Sequence, residues 1–157
     1  MSTTISVTRR VESSASDFYE LFADTAKFQQ VKGLRVELLE PGNADGVGVL
    51  RRVRMGAGLV LVERIVALNP RTHTFGYLLK TGNPRVTHVY GQISFTPEGE
   101  GTAATWTSRV SISVGPFTGI AEVLTRGFVS AAFWLALGRL DRYLQTRRPT
   151  VKSENLR

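Results

Sequence analysis

At 157 residues, with 42% hydrophobic and 21% charged side chains, the chain has the length and balance of one soluble domain with a buried core. The absence of cysteine excludes a disulfide framework, a thiolate metal site and a cysteine nucleophile. A formal charge of +7 and a pI near 10.4 would suit nucleic acid or an anionic membrane, but the basic residues are scattered from Arg9 to Arg85, with only a loose cluster at Arg147, Arg148, Lys152 and Arg157.

Specific nucleic-acid binding is therefore not expected, and the basic tail offers at most a weak contact with anionic membrane. No apolar run approaches the roughly 20 residues of a bilayer span, and Met1–Arg10 has no apolar signal core. The cytosol is the expected compartment. One domain is expected over residues 1–146, as a monomer or homodimer. Residues 147–157 read as a disordered basic tail, because Pro149 ends the last helix.

In chain order, Ile5, Val7 and Val11 alternate with polar neighbours and predict a strand over Thr3–Glu12. Ser14-Ala-Ser-Asp17 has capping-box spacing ahead of Phe18, Leu21 and Phe22, which predicts a short helix over Ala15–Ala23. A second helical piece follows around Asp24–Gln30, with Asp24 as cap and Phe28 inward. Six strands are then expected: Leu34–Glu40, Gly48–Met55, Leu59–Asn69, Thr74–Leu79, Arg85–Thr96 and Ala103–Val114. Gly, Pro and Asn-rich turns separate them.

Gly115-Pro116 ends the strands and opens one long helical pattern from Phe117 to Leu144. Ile120, Leu124, Phe128, Ala131 and Leu135 recur at threes and fours, with Val123, Trp134 and Gly138 beside them. This stripe is expected to lie in the curved sheet. The fold class is α+β, a seven-stranded curved antiparallel sheet around a long C-terminal helix, with two short helices after the first strand. A hollow between sheet and helix is expected to hold the function.

The short turns allow a register to be assigned. Pairing Phe95 with Ala104 sets Ile93 opposite Trp106, Gly91 opposite Ser108 and Val89 opposite Val110, so apolar parity meets apolar parity. The same parity turns Phe75, Tyr77, Leu79, Ile65 and Glu63 inward. It pairs Met55 with Leu59, Val53 with Leu61 and Arg51 with Glu63.

Arg51 and Glu63 thus meet on the concave face. Such a pair could orient a polar group of a ligand, and a desolvated carboxylate could act as a base. Equally, it could be a cross-strand ion pair on the outer face that contributes little. Tyr77, Trp106 and Ser108 offer aromatic surface with a few hydrogen-bonding groups, or simply fill the core. Gly91 beside Ser108 would leave unfilled space, and Phe28 would close one end. Leu124 and Phe128 are expected on the helix side of this hollow.

His73 falls at a turn and His88 on the outward parity, so neither suits a general base, and neither has a metal-ligand partner at the right spacing. No metal or cofactor is expected. Phosphate-loop, dinucleotide and serine-hydrolase motifs are absent.

Several segments resemble one superfamily. They are Val-Thr-Arg-Arg-Val-Glu (7–12) leading into Asp17-Phe-Tyr-Glu-Leu-Phe-Ala-Asp24, Gly46-Val-Gly, Val62-Glu-Arg-Ile-Val before Asn69-Pro70-Arg71, and Gly101-Thr-Ala-Ala-Thr-Trp106. Together with the element order over Thr3–Leu144, they are similar to the helix-grip fold of START domains, birch-pollen-type allergens and bacterial polyketide cyclases or dehydrases. The bacterial polyketide-cyclase/dehydrase-like group resembles the chain in particular.

That resemblance implies a small hydrophobic ligand (a lipid, isoprenoid or aromatic polyketide-like compound) held between sheet and helix. The alternative it implies is a cyclase or dehydratase in which Glu63 takes a proton and Arg51 steadies the enolate. A membrane-surface or chaperone-like module using the basic tail is a third reading.

Overall fold

The structure, a computed structural model, describes residues 2–55, 60–83, 87–111 and 115–147. Ser14 starts the first helix as its spacing predicts, its Oγ accepting from the Asp17 backbone N–H at 3.1 Å. That helix, α1, spans Ala15–Ala23 after the first strand β1, Ser2–Val11. The second helix, α2, is shorter than expected, Thr25–Phe28. Asp24 caps it by accepting from the N–H groups of Ala26 and Lys27 at 2.9 and 3.2 Å.

Strands β2 (Arg35–Glu40), β3 (Leu50–Arg54), β4 (Val60–Asn69), β5 (Thr74–Asn83), β6 (Thr87–Glu98) and β7 (Gly101–Ser111) follow. All seven strands form one antiparallel sheet in the order β1-β7-β6-β5-β4-β3-β2. The two short helices carry the chain from one sheet edge to the other, and the rest is a meander that closes back onto β1. A 3₁₀ turn at Gly115–Phe117 leads into α3, Thr118–Thr146.

The predicted pairs Phe95–Ala104, Ile93–Trp106, Gly91–Ser108, Val53–Leu61 and Arg51–Glu63 are all present. Val89 does not pair with Val110. A register shift between His88 and Tyr90 sets His88 opposite Val110 instead. Further shifts lie between Val62 and Glu63 and between Ile65 and Ala67. Each extra residue bends its strand and sharpens the twist, which curves the sheet. The expected Met55–Leu59 pairing, the side-chain direction of His88 and the tail after Arg147 lie outside what is described.

Alternation separates the two faces. Neighbours Arg51 and Arg52 on β3 point oppositely: Arg51 is fully buried, whereas Arg52 pairs with the exposed Glu37 at 2.6 Å on the outer face. The concave face carries Val53, Ile65, Phe75, Tyr77, Ile93, Phe95 and Trp106, all buried. Against it, α1 inserts Phe18, stacked on Phe95 at 5.2 Å, and Phe22, whose ring meets those of Phe28, Phe75, Phe95 and Trp106.

The C-terminal half of α3 is bound to the core by Leu137 and Leu140 and by Asp141. That carboxylate accepts from the backbone N–H groups of Glu12 and Ser13 at 3.0 and 2.9 Å, and from the Ser13 hydroxyl at 2.7 Å. Thr102 completes the knot by donating to the Ser13 carbonyl at 2.7 Å.

The expected sheet-facing stripe of α3 is corrected. Ile120, Val123, Leu124, Phe128, Trp134 and Leu135 are between 47% and 70% exposed. The face turned to the sheet carries Phe133, Ala136, Leu137, Leu140 and Leu144 instead. Both sets recur at helical spacing, so α3 is apolar nearly all round. Of the flanking glycines, Gly138 allows a close approach: a Cβ there would stand 2.6 Å from the Arg9 guanidinium, which donates to the Trp134 carbonyl at 2.7 Å. Gly127 faces open space.

Candidate functional site

Because the sheet curves away from α3, the two enclose a cavity of about 560 Å³. Its walls are predominantly apolar: Phe22, Phe28, Val53, Phe75 and Ile93 from the sheet and short helices, and Phe128, Ala131, Leu135 and Ala136 from α3. Two exposed cations, Lys32 beside the α2–β2 turn and Arg139 on α3, also line it and so mark the mouth.

Glu63 is the one acidic lining residue among those described, and it is only 7% exposed. The register shift beside it inserts an extra residue, Lys80, in the facing strand β5, where Thr81 stands opposite Val62 and Leu79 opposite Glu63. Its Oε1 accepts from Arg51 Nε at 2.7 Å. Among the described residues Oε2 has no hydrogen bond, so it is left for whatever enters the cavity.

Arg51 does not line the cavity. Its side chain is 0% exposed, clamped between the rings of Phe28 and Phe75 with its guanidinium carbon 4.6 and 5.3 Å from their centroids. Its Nη1 donates to the Phe22 carbonyl at 2.9 Å and reaches Thr25 Oγ1 at 3.4 Å. Phe22 lies in the last turn of α1, where carbonyls lack partners within the helix, so Arg51 acts as a buried C-terminal cap. Arg51 lies opposite Glu63 on the concave side, as its parity predicts, but its side chain turns under the two rings to reach that carbonyl and so does not line the cavity.

Tyr77 and Trp106 line the cavity together. Trp106 Nε1 donates to the Tyr77 hydroxyl at 2.7 Å, and the Trp106 ring stacks on Phe133 of α3 at 4.1 Å. Burial pushes the Tyr77 phenol far above its ordinary pKa, against the smaller lowering effect of its hydrogen bonds to Trp106 and Ser108, while the nearby Glu63 charge pushes it further up. Tyr77 therefore stays a neutral phenol.

Gly91 leaves no unfilled space. A Cβ there would stand 2.3 Å from Tyr77 Cζ, because the tyrosine ring fills the gap. Ser108 is buried behind that ring and away from the lining. Leu124, at 68% exposure, lies outside the cavity. The structure thus brings Phe28, Glu63, Tyr77, Trp106 and Phe128 to one cavity, and Arg51, Gly91 and Ser108 to the layer supporting it.

Sequence reasoning missed Phe22, Phe75 and Phe133, which shape the walls or hold Trp106, and the mouth cations Lys32 and Arg139. The inward parity of Phe75 and the helical spacing of Phe22 were visible, but nothing local marks Lys32.

A curved antiparallel sheet gripping a long C-terminal helix over an internal cavity defines a helix-grip protein. The sequence matches, over residues 2–145, the family described as "Polyketide cyclase / dehydrase and lipid transport", and the chain belongs to that family. Among solved structures, a protein of Thermus thermophilus (TTHA0849) is similar with a TM-score of 0.71 at 18% identity, over 94% of this chain and 100% of that one. Norcoclaurine synthase from Thalictrum flavum, in complex with dopamine and hydroxybenzaldehyde, gives 0.67 at 15% identity, over 95% and 90%. DynU16, from the dynemicin biosynthetic locus, gives 0.64 at 19% identity over 93% of this chain and 48% of that one. At these identities the likeness is one of fold. No curated protein matches the sequence.

Proposed function

We propose that this single domain binds a small hydrophobic molecule, a lipid, isoprenoid or aromatic polyketide-like compound, in the cavity between sheet and α3. The carrying observation is Glu63, a nearly buried carboxylate in a predominantly apolar lining, one oxygen of which has no hydrogen bond among the described residues. A buried acceptor of this kind favours a ligand whose inner end bears a hydroxyl, phenol or amine. At the mouth, Lys32 and Arg139 favour a negative group at the ligand's outer end. The cavity volume of about 560 Å³ suits a molecule of this size, since ligand pockets run from about 300 to 1,000 Å³.

Native mass spectrometry of the purified protein tests this reading. A mass adduct that is lost on denaturation, or saturable displacement of a hydrophobic dye, is the expected result. A protein without adduct that also binds no dye in this cavity would refute it.

An enzymatic reading, cyclase or dehydratase, is favoured by the same Glu63 oxygen, which could take a proton from a carbon beside a carbonyl. With the Arg51 guanidinium sealed behind Phe28 and Phe75, the cations left to meet an enolate, among the described lining residues, are the outer Lys32 and Arg139. Retention of turnover of a genuine substrate in Glu63→Gln would eliminate Glu63 as the base. Binding without turnover is the reading preferred here.

A further inference from the structure

The outward stripe of α3 is an apolar surface outside the core. Ile120, Val123, Leu124, Phe128, Trp134 and Leu135 line one side of the helix, each at least 47% exposed. By length and composition alone this helix could cross a bilayer, but core helices of soluble proteins share those properties. Here its C-terminal half is fixed to the domain through Leu137, Leu140 and Asp141. A surface this apolar and continuous marks a contact site.

Charge identifies the occupant. The exposed charges of α3 are Arg126, Arg139 and Arg142, with Arg147 just beyond its end. Its two acidic residues are engaged elsewhere: Glu122 accepts a hydrogen bond from the Thr3 hydroxyl, and Asp141 is buried on Ser13. The stripe is therefore apolar with a positive border, and neither carboxylate lies on it. A second copy docked about a two-fold axis would bring arginine borders together and repel. An anionic bilayer surface instead complements both features, taking the apolar side chains among its acyl chains and the arginines among its headgroups.

We propose that α3 is a membrane-docking surface that seats this protein on anionic bilayers. Phe128, Ala131 and Leu135 belong to the stripe's path and also line the cavity, so docking sets the cavity's edge against the lipid. An apolar molecule could then pass between bilayer and cavity without crossing water. That passage rests on the cavity binding proposed above, whereas docking does not.

The test uses the full chain with vesicles of phosphatidylcholine, with and without phosphatidylglycerol. Co-sedimentation is expected with the anionic vesicles only, and to weaken steeply as salt is raised to about 0.5 M. Replacing Arg126 or Arg142 by Gln should weaken binding about 5-fold each. Val123→Asp/Leu124→Asp, at two exposed positions away from the cavity, should abolish it while urea stability is unchanged. Bound protein should shift Trp134 emission to the blue, a change lost in Trp134→Phe.

Absence of binding to anionic vesicles at low salt would overturn the proposal. So would binding that survives Val123→Asp/Leu124→Asp but is lost on deleting the residues after Arg147, since the tail would then be the carrier. A dimer that the same double substitution dissociates would assign the stripe to a second copy.

Discussion

The Tyr77 ring occupies the space that the missing side chain of Gly91 leaves, close enough that a Cβ on Gly91 would stand 2.3 Å from the ring. The two residues are paired across β5 and β6, so the glycine is what lets the ring settle on the sheet and accept from Trp106 Nε1. Gly91→Ala should therefore displace Tyr77 and break that bond. Overpacking of this kind costs about 1–3 kcal/mol, read as a lower urea midpoint with a red shift of the Trp106 emission. An unchanged midpoint would mean that the ring does not depend on the glycine.

Asp141 joins the end of α3 to the β1–α1 turn and carries a pH dependence. Burial works to raise its pKa, but the combined hydrogen bonds from Ser13, Glu12 and Gln145 outweigh burial and hold it below the ordinary carboxylate value. A lowered folded-state pKa adds stability above the unfolded-state value near ~3.9, and that stability is lost as pH falls through the folded value. Asp141→Asn should cost about 2 kcal/mol at neutral pH. The gap to the parent protein should narrow below about pH 4, which urea titrations at the two pH values would measure.

For Arg51 and Glu63, burial makes single removals worse than joint removal. Arg51→Met leaves the Glu63 carboxylate without its guanidinium and uncaps the Phe22 carbonyl, at an expected cost of about 3–5 kcal/mol. Arg51→Met/Glu63→Leu should recover most of that loss, because an apolar pair of similar volume carries no desolvation cost. Additive losses in the double-mutant cycle would show the two side chains to be uncoupled.

Much of this molecule was legible in its alternations and turns. Ser14 and Asp24 announced both short helices, and parity alone set Arg51 against Glu63 and Gly91 against Ser108. Three features were not legible, each for a physical reason. A helix that is apolar on two sides has no preferred face in its sequence, so the stripe through Leu124 and Phe128 was turned the wrong way. A bulge such as the one at His88–Tyr90 adds a residue without any local residue type demanding it. Finally, parity tells which side of a sheet a residue takes but not the depth of its side chain. It could not separate Glu63, which reaches the cavity, from Arg51, which turns beneath Phe28 and Phe75, or foresee that Tyr77 would cover Gly91.

The central claim, a hydrophobic cavity with Glu63 as its inner polar anchor, is tested most directly by binding a matched pair of fluorescent probes, 2-naphthol and its methyl ether, to the parent protein and to Arg51→Met/Glu63→Leu, which leaves no unpaired buried charge. A hydrogen bond to a carboxylate is worth about tenfold or more in affinity. The naphthol should therefore bind the parent protein about tenfold or more tightly than the ether, and the double substitution should erase that preference while still binding both. Equal affinities for the pair in the parent protein, or a preference that survives the double substitution, would contradict the account.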